Sequence, residues 1–480
     1  MSVRVVLAMA LPLLAAMTVM GTYLGKEIII FAGLLGLSVG GFLFVRPVVG
    51  LAIMTTAYLL AAYPTIFQAL GLLTVNNLLG LCFVVLLLAR TLETRDLSYL
   101  SRPQILVLAV IGVLFFLVTL HADALYPTLD VSRATGRTGL KIIDRTAEMG
   151  DDFTTRLIYL VFIVAFVRTR ADLQVLFFTM VLALFTAVPS ALFNWGEGGL
   201  NRGFRTAASV TAGSNPNRLA MICLIQVACW WFWARARPST ARMLVALAAI
   251  AASGLVWVAT GSRSGALGAA VMLGLMQTSG RRFRVPSSGL AAGLGIGLLG
   301  LITIAPPLAV QRMFNFFPES RSDIGASSLE LRESAIDSAM LIIQDHPLLG
   351  VGLGNFREVA RQIYADKFFR PPHNSILWAQ AEGGIGALAL YVLLFALTWR
   401  DLRRARAAAA HDPELAALAT ALRTVLGLFL FFSLFADLWL NPLAYLLIGL
   451  TIALRTQSEE ALAAKRQTAP AASRVVRRAA

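Results

Sequence analysis

Histidine, arginine and asparagine side chains gather at the starts of long apolar runs in this sequence. In "RPPHNSILWAQAEGG" (370–384), His373 and Asn374 follow two prolines and precede such a run. In "GSNPNRLA" (213–220), Asn215 stands at a helix N-cap position and Pro216 at the first helical position, with Asn217 and Arg218 behind them. "TGSRSGALG" (260–268) is a polar, glycine-containing break that carries Arg263 between two apolar runs. Arg202 and Arg205 precede the "GSNPNRLA" stretch, and Arg332 lies in the long connection ahead of His373. A helix N-terminus bears about half a positive charge and unpaired N–H groups, which suit a phosphate. Guanidinium groups add paired hydrogen bonds and keep their charge at a membrane surface. Imidazole accepts a proton near neutral pH. Together these groups fit a site for a phosphate-bearing substrate with a base beside it.

Blander readings compete. A lone interfacial arginine commonly reaches for lipid headgroups, which weighs most for Arg202 and Arg218, and His373 could simply cap a helix. The glycines and serines around Arg263 argue against that reading there. Ionisable groups bordering membrane spans lean towards function, and here they coincide with three helix openings. Asp151 and Asp152 are adjacent and could hold a metal, but a solvated acidic turn explains them better. His121, His346 and His411 lie in connections with no partner signal and read as structural, while Asp437 sits in a tight turn without an evident role. No P-loop, HExxH or nucleophile elbow is present. Cys82, Cys223 and Cys229 all fall in apolar spans and read as small buried hydrophobes. Neither a cofactor nor a resident metal is expected.

The elements that must position these residues are membrane helices. Of the 480 residues, 58% are hydrophobic and 14% charged, far fewer charges than a soluble domain carries. Apolar spans fall near 4–20, 27–45, 48–70, 74–90, 104–120, 155–167, 171–193, 218–234, 241–259, 263–278, 289–310, 374–399, 415–435 and 438–454. With the span at 155–167 short and the last two tightly joined, about 12–14 transmembrane helices are expected. The net charge of +15 could point to nucleic acid, but its arginines concentrate in short connections separated by even numbers of spans. The positive-inside rule makes that side cytoplasmic and excludes nucleic acid as the reason for the charge. Both termini are then cytoplasmic, and residues 456–480 form a disordered basic tail. The opposite face receives the connections 121–154, 194–217 and 311–373. The last holds a small helical subdomain, with an amphipathic helix expected over "SSLELRESAIDSAMLIIQDHP".

"DHPLLGVGLGNF" (345–356), followed by "HNSILWAQAEGG" (373–384), resembles the signature of the O-antigen ligase and polysaccharide polymerase superfamily. "NPNRLA" and "GSRSGAL" stand where that group has its asparagine-rich and arginine-bearing segments, so the resemblance covers roughly residues 195–400. Gly386 departs from the usual glycine spacing. The resemblance implies an all-α, GT-C-like bundle in the bacterial inner membrane, with its active site facing the periplasm. It implies a metal-independent glycosyltransferase that takes a glycan from undecaprenyl diphosphate. The acceptor would be lipid A–core in a ligase, another lipid-linked repeat in a polymerase, or protein in some relatives. By motif match, His373 takes the place of the essential histidine, and Arg263 and Arg205 those of diphosphate-binding arginines. Arg202 and Arg332 are further candidates for the diphosphate, and Asn217 and Asn374 for supporting contacts.

The expected organisation is an N-terminal set of helices (1–194), a catalytic region (195–400) containing the 311–373 loop, C-terminal helices (401–455) and the tail. A lipid diphosphate is already a good leaving group, so positive donors and one base suffice, and direct displacement inverts the anomeric carbon. The rival of a different class is a flippase for lipid-linked sugar. Transporters gather polar groups near the bilayer midplane, whereas these cluster at one face.

Overall fold

The computed structural model describes residues 45–60, 75–126, 142–196, 206–208, 215–280, 282–286, 307–315, 326–366 and 370–468. Its regular structure there is entirely helical. The first half contributes α1 (Pro47–Leu60), α2 (Val75–Thr94), α3 (Pro103–Leu125), α4 (Ile142–Phe166), α5 (Arg170–Phe185) and α6 (Ala187–Gly196). Then come α7 (Pro216–Ala236), α8 (Thr240–Ala259), α9 (Arg263–Gln277), α10 (Pro307–Phe314), α11 (Ala326–Asp345) and α12 (Phe356–Gln362). The chain continues with α13 (Ser375–Ala408), α14 (Pro413–Ser433) and α15 (Pro442–Thr468). Among the described residues, six helical stretches are long and apolar enough to cross a bilayer: α3, α5 with α6, α7, α8, α13 and α14. The protein is an all-α polytopic membrane protein. The expected span at 4–20, nearly all of 27–45 and most of 289–310 lie outside the described residues.

Helix starts follow local chemistry. Pro103, Pro216 and Pro413 occupy first-turn positions, where a missing N–H costs nothing. Ser239 and Asp412 cap α8 and α14 by accepting backbone N–H groups. The layering follows from which helices are apolar all round. In α7 and α14, 78% of the apolar window is buried within the protein, against 28% in α8. Those two helices therefore form the centre, packed against each other and both against α9. Around α14, helix α13 joins to α15 and α3, and α15 joins to α4.

Three expectations need correcting. The short span at 155–167 belongs to the 25-residue helix α4, which starts at Ile142, inside the expected connection. Its polar first half is held by local pairing, with Arg156 Nη2 donating to Asp152 Oδ2 at 2.7 Å. Asp151 and Asp152 are therefore helical, not part of a turn. The expected disordered tail does not begin at 456 either, because α15 continues to Thr468. Arg455 bonds Asp401 at 3.0 Å and Glu459 at 2.8 Å, and Ser458 is fully buried, so this stretch packs as a helix. Residues 469–480 lie outside the described residues.

Candidate active site

The site is built from the starts of three helices. Asn215 caps α7, accepting from Asn217 N at 2.8 Å, and Ser262 caps α9, accepting from Gly265 N at 3.1 Å. Ser262 Oγ also donates to Asn217 Oδ1 at 2.9 Å, which ties the start of α9 to that of α7. Asn374 caps α13, its Oδ1 accepting from Ile376 N at 3.0 Å and Leu377 N at 3.2 Å. The starts of α7 and α9 are thus tied side chain to side chain, and all three capped helix ends are partially positive.

The turn between α14 and α15 closes this assembly. Ser375 Oγ donates to Ala436 O and accepts from Leu438 N, both at 2.8 Å, and so grips the turn from either side. Arg218 Nη2 donates to the carbonyl of Asp437 at 3.2 Å. Between these anchors the Asp437 carboxylate reaches His373, with Nδ1 and Oδ2 2.8 Å apart. A carboxylate accepts, so the hydrogen lies on Nδ1 and the Nε2 lone pair is left available. The two side chains are 23% and 14% exposed, enough shelter to hold the pair and enough access for a substrate. His373 adopts a left-handed backbone (φ 48°) directly after the buried Pro371 and Pro372. A non-glycine residue in this region is a strained conformation that its surroundings must hold in place.

The cationic side is formed by Arg263 and Arg332. Arg263, the first residue of α9, donates to Asn315 O at 3.2 Å. Arg332 on α11 lies within electrostatic reach of both Arg263 and Asp437. Burial and the neighbouring Arg263 charge pull its pKa below the ordinary arginine value, and Asp437 opposes that pull. The buried Arg312 of α10 donates to Gly261 O at 2.8 Å, fixing the turn that presents Arg263.

The glycine-rich stretch before His373 has a mechanical role. Gly384 takes φ 66° and ψ −170° and breaks α13 nine residues, about two and a half turns, after its polar start. The carbonyls of Ala381 and Glu382, which lose their helical partners there, accept from Val351 N at 3.0 Å and Gly352 N at 2.9 Å. Ile385 N donates in turn to Pro347 O at 2.9 Å. A Cβ on Gly384 would lie 2.0 Å from Leu348 O. The "HPLLGVGLG" segment thus replaces the missing helical bonds and sets the direction of the short helix behind His373.

Of the residues expected from the sequence, His373, Arg263, Arg332 and Asn217 come together. Asn374 lies beside them, with its side-chain oxygen used in capping. Arg202 and Arg205 lie outside the described residues. Asp437, Arg218, Ser262, Ser375 and Arg312 complete the arrangement. Asp437 was visible as an acidic residue at a turn between two spans, yet its partner lies 64 residues away. His346 is not without a partner: its Nε2 lies 2.6 Å from Tyr126 OH, beside a Tyr364–Asp345 hydrogen bond of 2.6 Å. Among the described residues, no three His, Cys, Asp or Glu side chains cluster closely enough to hold a metal ion.

Residues 247–392 match the family model described as O-antigen ligase. The match covers 146 of the 480 residues and makes this segment similar to O-antigen ligases. No curated protein matches the sequence. The ligase-family segment runs from within α8 into α13 and contains Arg263, Arg332, His373 and the bracing glycines. Asn217, Arg218 and Asp437, which complete the site, fall outside it. The family supports a membrane glycosyltransferase-like activity of ligase or polymerase type.

Proposed function

We propose that the protein transfers a glycan from an undecaprenyl-diphosphate carrier to an acceptor hydroxyl at the periplasmic face of the bacterial inner membrane. The His373–Asp437 pair carries this reading, because it is a sheltered base beside two arginines and a helix N-terminus. His373 Nε2 takes the proton of the acceptor hydroxyl, and Asp437 holds the ring and balances the imidazolium that forms. The acceptor oxygen bonds to the anomeric carbon as the bond from that carbon to the diphosphate oxygen breaks, which inverts the centre. The negative charge gathering on the diphosphate meets Arg263, Arg332 and the first N–H groups of α9. The proton on His373 then passes to solvent or to the departing diphosphate.

Lipid A–core is the preferred acceptor, which makes the protein an O-antigen ligase. Transfer to another lipid-linked repeat, as in a polymerase, uses the same groups and is the second reading that the family match supports. A deletion strain separates the two. A ligase loses capped lipid A–core while lipid-linked polymer persists, and a polymerase accumulates single repeat units. Since arginines and a helix end supply the positive charge, transfer by purified protein should continue in excess chelator. Activity lost in chelator and restored by Mg²⁺ or Mn²⁺ would overturn that part of the mechanism.

A further inference from the structure

A second concentration of arginines lies at the other end of the bundle, where α13 finishes. Trp399, Arg403, Arg406, Ala407 and Arg423 line a pocket of about 460 Å³ between α13 and α14. Trp399, Arg403 and Ala407 also belong to a groove of about 880 Å³ that continues between the same helices, past Phe395, Ala396, Val392 and Leu430. One end is cationic and the remainder is largely apolar.

The charges at the cationic end do not balance within the protein. Arg423 is 9% exposed and gives all its hydrogen bonds from Nη2, to Leu275 O, Thr278 Oγ1 and Ser279 Oγ at 2.8, 2.9 and 3.1 Å. Arg406 Nη2 donates to Thr278 O at 3.2 Å. Both arginines therefore meet the C-terminal end of α9, which supplies about half a negative charge. Three guanidinium groups surround the pocket, and none forms an ion pair with a carboxylate among the described residues. Neighbouring cations at the same end differ: Arg455 and Arg400 share Asp401, and Arg170 pairs with Asp412 and Glu414. Arg423 is buried, Arg406 half-buried and Arg403 exposed, and a surplus of positive charge beside hydrocarbon is costly unless an anion joins it.

We propose that this pocket and groove bind an anionic phospholipid from the leaflet opposite His373. Its phosphate sits among Arg403, Arg406 and Arg423, and an acyl chain follows the apolar wall of α13 and α14. Trp399 immediately precedes the arginine-rich end of α13, and indole rings favour the membrane interface, while basic pockets between helices are suited to acidic headgroups. The uncharged tail of a polyprenyl substrate would fill the apolar part but leave the three cations unbalanced.

Native mass spectrometry of the purified full-length protein can test this, by titration with phosphatidylglycerol and with phosphatidylcholine of matched chains. Phosphatidylglycerol should bind more tightly, and Arg403→Gln should weaken it about fivefold, the effect of one basic residue near an anionic headgroup. Arg403 is the position to change, because Arg423→Gln also removes a cap from α9. Arg284→Gln, an exposed arginine beyond α9 and outside the pocket, should leave binding unchanged. Equal binding of the two lipids, or equal weakening by both substitutions, would refute the site. Inorganic phosphate binding as tightly as the lipid would refute the role of the groove. Displacement of the bound lipid by neutral polyprenol would assign the groove to substrate instead.

Discussion

His373 Nδ1 lies 2.8 Å from Asp437 Oδ2, joining the start of α13 to the turn between α14 and α15. This contact fixes both the orientation of the imidazole and which ring nitrogen is free to act. General base catalysis contributes about 10²–10⁴-fold, so His373→Ala should lower transfer by that order with donor binding nearly intact. Asp437→Asn keeps the shape but offers Nδ1 a donor, which favours the wrong tautomer. Its turnover should fall by about 10²-fold with little change in KM. A transfer assay on purified protein, with separate donor binding, measures both. Near-normal turnover in His373→Ala would reduce the histidine to a structural role.

Arg263 and Arg332 should act on the leaving group. Arg263→Ala should weaken donor binding and also slow transfer, and Arg263→Lys should restore little of either because the forked contact is lost. Arg332→Gln should behave similarly, with kcat and donor affinity reduced together. Changes confined to acceptor KM would contradict this assignment.

Gly384→Ala tests the break in α13. The substitution places a Cβ 2.0 Å from Leu348 O in a backbone with φ 66°. The left-handed conformation alone costs a non-glycine residue about 1–2 kcal/mol, and the collision adds to it. A clear loss of thermal stability is expected, together with loss of transfer as the mouth around His373 shifts. Gly386→Ala should be tolerated, since its added Cβ would meet Leu114 at an ordinary 3.4 Å.

His346 should make the packing around the end of α11 sensitive to acid. Burial lowers its pKa below the ordinary 6.5, so the folded protein favours the neutral ring. On acidification the unfolded chain takes up the proton first. Stability is therefore full above about 6.5 and falls as pH drops towards the folded-state value. Thermal unfolding at pH 7.5 and 5.5 should show this loss, and His346→Phe should diminish it.

Topology is testable with exposed positions at either end. Asp337 on α11 and Ala463 on α15 are both exposed. In intact cells of a Cys82→Ala background, an impermeant thiol reagent should label Asp337→Cys and spare Ala463→Cys. Equal labelling would sink the assignment of both termini to the cytoplasm.

The membrane class, most helix positions and the three polar helix openings were legible in the sequence, because each rests on local chemistry. Apolar length, an N-cap residue and a first-turn proline act within a few residues of where they stand. His373, Arg263 and Asn217 stand at those openings and can be picked out from their neighbours, whereas Arg332 is marked only as a basic residue in the long connection before His373. Only the tertiary structure supplied Asp437, because a turn between the last two helices says nothing of the residue 64 positions earlier that it meets. The break at Gly384 was likewise hidden, since a glycine inside an apolar run looks the same whether the helix continues or stops. What decides it is the carbonyl of Leu348 and the backbone N–H groups of Val351 and Gly352 arriving from another segment. Charge balance also waited for the fold. Arg423 and Arg455 are equally arginine in sequence, and only packing brings Asp401 to one and leaves the other among cations.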